Sequence, residues 1–226
     1  MKGCYLEKWL IPSSILIALF SSNLSVAQVI GDTTLPVGER SQVTGNPNFQ
    51  IDGGTTRGGN LFHSFSQFSV PTGGSAYFNN APTITTIFTR VTGTSISNID
   101  GLIRANGTAN LFLFNPNGIL FGPNAQLDIG GSFIASTANS IDFADNFQYS
   151  ATNPQTTPLL TVSVPVGLQI GANPGQIEVQ GNGYDLSVAV PIFSPIVKGS
   201  SSAGLRVPEG QTLALIGGCD SFSSNK

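Results

Sequence analysis

Asn110-Leu111-Phe112-Leu113-Phe114-Asn115-Pro116-Asn117-Gly118-Ile119-Leu120-Phe121-Gly122 is the most informative run in this chain. Two short apolar runs flank a four-residue turn. Asn suits the first position of a type I turn, Pro presets φ near about −65° at the second, and Gly at the fourth accepts a left-handed backbone. Consecutive apolar residues on both flanks imply strands covered on both faces. On residue chemistry alone, this is a well-made tight turn between buried strands.

The same grammar continues in both directions. Short alternating or apolar runs fall at 41–43, 49–51, 61–68, 84–91, 101–103, 111–114, 119–121, 126–129, 133–135 and 140–143. Later runs fall at 161–164, 176–179, 186–190 and 212–216. Turn residues separate nearly all of them, among them Gly45-Asn46-Pro47, Asp52-Gly53-Gly54, Asn106-Gly107, Gly130-Gly131 and Asn182-Gly183. No window carries a helical stripe, so the expected class is all-β. A sandwich and a parallel solenoid both fit short strands with polar turns. A degenerate phrase tips the balance towards the solenoid: residues 124–131 resemble residues 174–181, with a looser copy at 209–218. Residues 148–158 and 194–202, rich in Pro, Thr, Ser and Gly, are expected to be loops or excursions from one body.

Composition narrows the function classes. Of 226 residues, charged residues make up 9% and hydrophobic ones 40%, so the surface must be built from Ser, Thr, Asn, Gln and Gly. A net charge of −3 excludes a basic nucleic-acid footprint. The length suits one domain.

The N-terminus reads as a signal peptide covering residues 1–27. Lys2 and Lys8 precede an apolar stretch from Trp9 to Phe20, and Ser25-Val26-Ala27 supplies small residues for cleavage between Ala27 and Gln28. The stretch is shorter than the roughly 20 apolar residues that span a bilayer. Cys4 lies within it, which leaves Cys219 as the single thiol of the mature chain and excludes an intrachain disulfide.

Several phrases together resemble the N-terminal domain of filamentous haemagglutinin, the two-partner secretion or haemagglutination activity domain, in a variant similar to that of cyanobacteria. Asn115-Pro116-Asn117-Gly118-Ile119 matches its secretion motif. Asn60-Leu-Phe-His-Ser-Phe-Ser-Gln-Phe-Ser-Val70 is similar to its early aromatic block. Arg90-Val-Thr-Gly93 and Ile99-Asp-Gly-Leu-Ile-Arg104 are similar to the strand pair before the motif, and Gly131-Ser-Phe-Ile-Ala-Ser-Thr137 to the coil after it. The resemblance spans residues 29–218. It implies a right-handed parallel β-helix (β-solenoid) with an N-terminal cap and extra-helical strands. It further implies passage through the general secretion machinery into the periplasm. There an outer-membrane β-barrel transporter with periplasmic recognition domains would take the unfolded domain by strand addition. The destination is extracellular or the outer cell surface, with an adhesin or haemagglutinin role and a host or neighbouring cell surface as target. The family's Asn-Pro-Asn-Leu motif is replaced by Phe78-Asn79-Asn80-Ala81-Pro82, and its role is not carried to the upstream Asn46-Pro47-Asn48-Phe49. Residues 219–226 fit no coil and read as an atypical tail of a truncated chain.

The alternative is a secreted β-helix enzyme active on polysaccharides, or a carbohydrate-binding surface protein. Such enzymes need paired carboxylates, and the acidic residues here are scattered, with Asp142 and Asp145 the closest grouping. Their expected role is turn capping. His63, the sole histidine, lies in an aromatic strand and is expected to pack. No catalytic residue, metal ligand or cofactor is expected.

Overall fold

The computed structural model describes residues 28–154, 161–181, 186–188, 196–198, 204–218 and 220–224. Cys4, Asp185, Cys219 and the signal peptide with Ala27 lie outside the described residues. Every regular element among those described is a strand, so the all-β expectation holds.

The chain opens with β1 (Val29–Gly31) and β2 (Ser41–Thr44), then winds round three walls. Wall B receives β3 (Asn48–Gly53); β4 (Thr55–Arg57) leads to wall A and β5 (Asn60–Phe68). The next turn places β6 (Ser75–Phe78) on wall B, β7 (Thr86–Val91) on wall A and β8 (Ser97–Ile99) on wall C. The third repeats this with β9 (Leu102–Ala105), β10 (Asn110–Phe114) and β11 (Ile119–Phe121). The fourth starts with β12 (Gln126–Asp128) and β13 (Phe133–Ser136). It leaves the coil through the antiparallel sheet β14 (Ser140–Phe143), β15 (Gln148–Ser150) and β16 (Pro165–Gln169), and returns as β17 (Ile177–Gly181) on wall C. A second excursion, the antiparallel pair β18 (Leu186–Val188) and β19 (Ile196–Lys198), precedes β20 (Leu213–Ile216) on wall A and β21 (Asp220–Ser224) on wall C.

Every pairing between successive coils is parallel. The molecule is a β-solenoid, and three turns carry all three walls. The N-terminal edge is closed by antiparallel strands, β1 and β4 on β5 and β2 on β3, which cap backbone groups that would otherwise template a further strand.

Side chains on wall A sort by the two-residue period of a strand. Leu61, Ile87, Leu111 and Phe133 stand opposite one another in register and point inward, as do His63, Thr89, Leu113 and Ala135. Leu111, Leu113, Ile119, Phe121 and Ile129 are buried in this interior and Leu127 packs against it. Phe62, Phe88 and Phe114 point the other way into a second core, roofed by Ile141, Phe143 and Tyr149 of the first excursion. That roof explains why both faces of β10 are apolar. Phe62 stacks on Phe88 at 5.2 Å, and Phe143 meets Phe88 edge-on at 5.0 Å.

Three sequence readings need correction. The repeated phrase is not the coil period: β12 lies on wall B, β17 on wall C and β20 on wall A. It marks the step from a glycine corner into a strand, which occurs at every wall. Residues 161–164 form no strand; Asn60 Nδ2 holds the carbonyls of Thr161 and Ser163 at 3.0 and 2.9 Å, and the strand begins at Pro165. Proline is tolerated there because β16 is an edge strand and this is its first residue. Residues 148–150 and 196–198, expected in loops or excursions, are strands of the two excursions. Asp220–Ser224, read as fitting no coil, stacks parallel on β17. Backbone ladders need no apolar side chain at each position, so a serine-rich strand gives little sequence signal.

Candidate functional site: the corner between walls A and C

The turn between β10 and β11 is a solenoid corner, since its flanking strands lie on different walls. Gly118 N donates to Asn115 O at 3.1 Å and closes the turn. Gly118 takes φ +125°, a conformation open to glycine, and a Cβ there would stand 3.0 Å from the Gln176 carbonyl oxygen. The sequence expectation of positive φ is met, although the setting is a corner and not a hairpin bulge.

Asn115 is fully buried, at 0% exposure. Its Nδ2 donates to Ser95 O and Ser97 Oγ, both at 3.0 Å, on the preceding coil. Its Oδ1 accepts from the backbone N and the Nδ2 of Asn117 at 3.0 and 2.9 Å. Two donors and two acceptor sites are thus all used within the fold. Asn117 Nδ2 also donates to Gly93 O at 2.7 Å. The following coil closes from the other side: Gly175 N donates to Pro116 O at 2.9 Å and Ile119 N to Gln176 O at 3.0 Å. Of the five motif residues, Asn115, Gly118 and Ile119 are buried, Pro116 is half-buried and Asn117 is exposed.

The other two corners follow the same rule with different residues. Between walls B and A, buried Asn80 donates to Asn106 O at 3.2 Å and accepts from Asn106 N at 2.8 Å. Between walls C and B, Asp100 accepts from Asn124 N at 2.8 Å and from Thr72 Oγ1. Burial works to raise the Asp100 carboxyl, but the Thr72 and Asn124 bonds outweigh it and hold it below the usual range. Uncharged amides and short acids thus join the coils, which accounts for the low charge content.

A buried polar junction lies behind wall A, and sequence reading missed it. Arg90, 2% exposed, donates from Nε to Ser64 Oγ at 2.8 Å, from Nη1 to Ser150 O at 2.7 Å and from Nη2 to Thr34 Oγ1 at 2.8 Å. Its guanidinium stands 4.2 Å from the Tyr149 ring centroid. Ser64 and Thr34 in turn donate hydrogen bonds to Asp32, at 2.7 Å each, and Thr92 donates at 2.6 Å. Burial pushes Asp32 up, and the hydroxyl bonds from Thr92, Thr34 and Ser64 bring it below the usual carboxylate range. The available signal was a lone arginine inside the apolar run of β7.

The candidates for catalysis are spent on structure. Asp142 accepts from Gln148 and Gln169 at 2.9 and 2.6 Å, and Asp145 caps Phe147 N at 3.2 Å. Among the described residues, every phenylalanine with a described side chain is buried except Phe112 and Phe147, which are half-buried. His63 lies inside the solenoid, shares a hydrogen bond with Ser41 Oγ at 3.0 Å and stacks on Phe65 at 5.9 Å. Burial pushes it down to about 3, partly offset by Asp52. A histidine depressed below its unfolded value of 6.5 binds its proton more readily in the unfolded chain. Stability is therefore complete above pH 6.5 and falls as the pH drops towards about 3, at about 1.4 kcal/mol per pH unit. Unfolding free energies from urea titrations at pH 7 and 5 should differ by about 2 kcal/mol through this group, and His63→Gln should remove that part of the difference.

In comparison with known families, the chain matches the model of the TPS secretion domain over residues 27–226. No curated protein matches it.

Proposed function

This chain belongs to the TPS secretion domain family, and we propose that its corner at residues 115–119 is read by the outer-membrane transporter before the coils close. The domain directs secretion in two-partner secretion, in which the exoprotein leaves through a partner transporter of the outer membrane. The observation that carries the finer reading is the burial of Asn115 with all its hydrogen-bonding capacity used inside the fold. A folded corner offers a partner only Asn117 and part of Pro116. An extended chain offers the whole motif. Periplasmic domains of the transporter would therefore take the segment as an added strand while it is still open. Closure of the corner outside the cell then withdraws the motif from the transporter and favours one direction of travel.

Asn115→Ala leaves Ser97 Oγ, Ser95 O and Asn117 N without their buried partner, and should cost about 1–3 kcal/mol. Export through the cognate transporter should fall further than for Val91→Ala, an interior substitution chosen for a comparable loss of stability. The measurement is the amount of protein in the medium, set beside the urea midpoint of each refolded variant. Equal export of the two at equal stability would reduce the corner to a structural turn.

The remaining parts of the reading are processing and destination. The exported protein should begin at Gln28, after removal of residues 1–27, and intact-mass measurement of the secreted form checks this. An intact N-terminus would mean an anchored protein. At the cell surface the solenoid would serve an adhesin, presenting an uncharged polar exterior to a host or neighbouring cell.

A further inference from the structure

Asn106-Gly107 and Asn117-Gly118 are the same dipeptide placed at two corners of one solenoid. In an Asn-Gly pair the glycine nitrogen, its proton taken by solvent hydroxide, can add to the asparagine Cγ. A carbon–nitrogen bond forms, the Cγ–Nδ2 bond breaks and ammonia leaves. Water then opens the cyclic imide to aspartate or isoaspartate, so the net change is one water consumed and one ammonia released. The step needs a free glycine amide and a carboxamide held beside it.

The two corners differ in both respects. Gly118 is buried and its N–H is engaged with Asn115 O at 3.1 Å, while Gln176 of the next coil packs against its α-carbon. Gly107 is exposed, at φ +64°, with no atom within 4 Å of where a Cβ would stand. Its N–H has no hydrogen-bond partner among the described residues. The Asn106 carboxamide beside it is fixed: Nδ2 donates to Asn80 O at 3.0 Å, and Oδ1 accepts from the Tyr77 hydroxyl at 2.9 Å. That hydroxyl donates to the oxygen on which negative charge develops when nitrogen adds, and so stabilises the addition.

We infer that Asn106 is a site of spontaneous deamidation in the folded protein, and that the same reaction at Asn117 is shut off by folding. The product matters to the corner. A carboxylate at 106 would face the Asn80 carbonyl, which now accepts a hydrogen bond, and would lie near the Asn79 and Asp52 acids and amides of the same ladder. Deamidation should therefore loosen the joint between walls B and A and add one negative charge to the mature chain.

The test is peptide mapping by mass spectrometry, with isoaspartate detection, on the purified protein aged in mildly alkaline buffer, with and without denaturing urea. In urea the two sites should react at the same rate. In the folded protein Asn106 should react at least roughly tenfold faster than Asn117, the factor that about 1.4 kcal/mol of local opening imposes on the closed turn. Tyr77→Phe should slow Asn106 without changing the rate in urea. Equal folded-state rates at the two sites, or a slower Asn106, would overturn the assignment. A faster Asn106 in Tyr77→Phe would overturn the role of the hydroxyl.

Discussion

Arg90→Met should destabilise the domain by about 3–5 kcal/mol, the range found when one member of a buried charged network is removed. The loss is large because one guanidinium ties three parts of the chain. Thr34 follows β1 in the cap, Ser64 lies on β5, and Ser150 ends β15 in the first excursion. Methionine fills much of the volume but supplies none of the donors, and Ser150 O, Ser64 Oγ and Thr34 Oγ1 each lose the one that Arg90 gave them. Asp32 then loses the counter-charge that reached it through two hydroxyls. Urea unfolding should show a lower midpoint at an unchanged slope. Asp32→Asn should cost less in the Arg90→Met background than alone, because the two sites share one network. Additive losses would mean that arginine and aspartate act independently.

Phe88→Ala should cost a similar amount, about 3–5 kcal/mol, for a different reason. Phe88 is 0% exposed and sits between Phe62 at 5.2 Å, Phe112 at 5.1 Å and Phe143 at 5.0 Å. Its truncation opens a cavity between wall A and the roof of the first excursion. Amide exchange should rise first in β14, β15 and β16, whose apolar contacts are with this second core. Protection of β7 and β10 should hold longer, since their inward residues belong to the other core. Loss of protection in both sets together would show the two cores to be one cooperative unit.

Local chemistry was legible where it depended on neighbours in sequence. The glycine demanded by the turn at residue 118 and the bond from Asn117 N to Asn115 Oδ1 follow from turn residues two or three apart. The partners of Asn115 Nδ2 were not legible, because Ser95 and Ser97 lie 20 and 18 residues earlier and meet it only through stacking. The same limit hid the direction of the phenylalanines. Leu111, Phe112, Leu113 and Phe114 are all apolar, and a strand buried on both faces has no alternation to read. A strand such as β8, with one large apolar residue in three, was missed because stacked backbone ladders hold it in place. The resemblance to a known family supplied the solenoid class that periodicity only favoured.

The spacing between stacked partners also sets a timetable for folding. On wall B, Ser75 waits 27 residues for Leu102, and on wall A Asn110 waits 22 for Ser132. Contacts this local give a low loop-closure cost per step, so coils can be added one after another from the N-terminal cap onward. Arg90 breaks the sequence, since Ser150 lies 60 residues on. Ser136 must wait longer still for Ile216, 80 residues on. Early coils therefore pair by near-neighbour contacts, whereas the junction behind wall A closes only after the first excursion has folded. Single-molecule or pulse-labelled folding from the N-terminus would register that delay as a late step confined to residues 140–151.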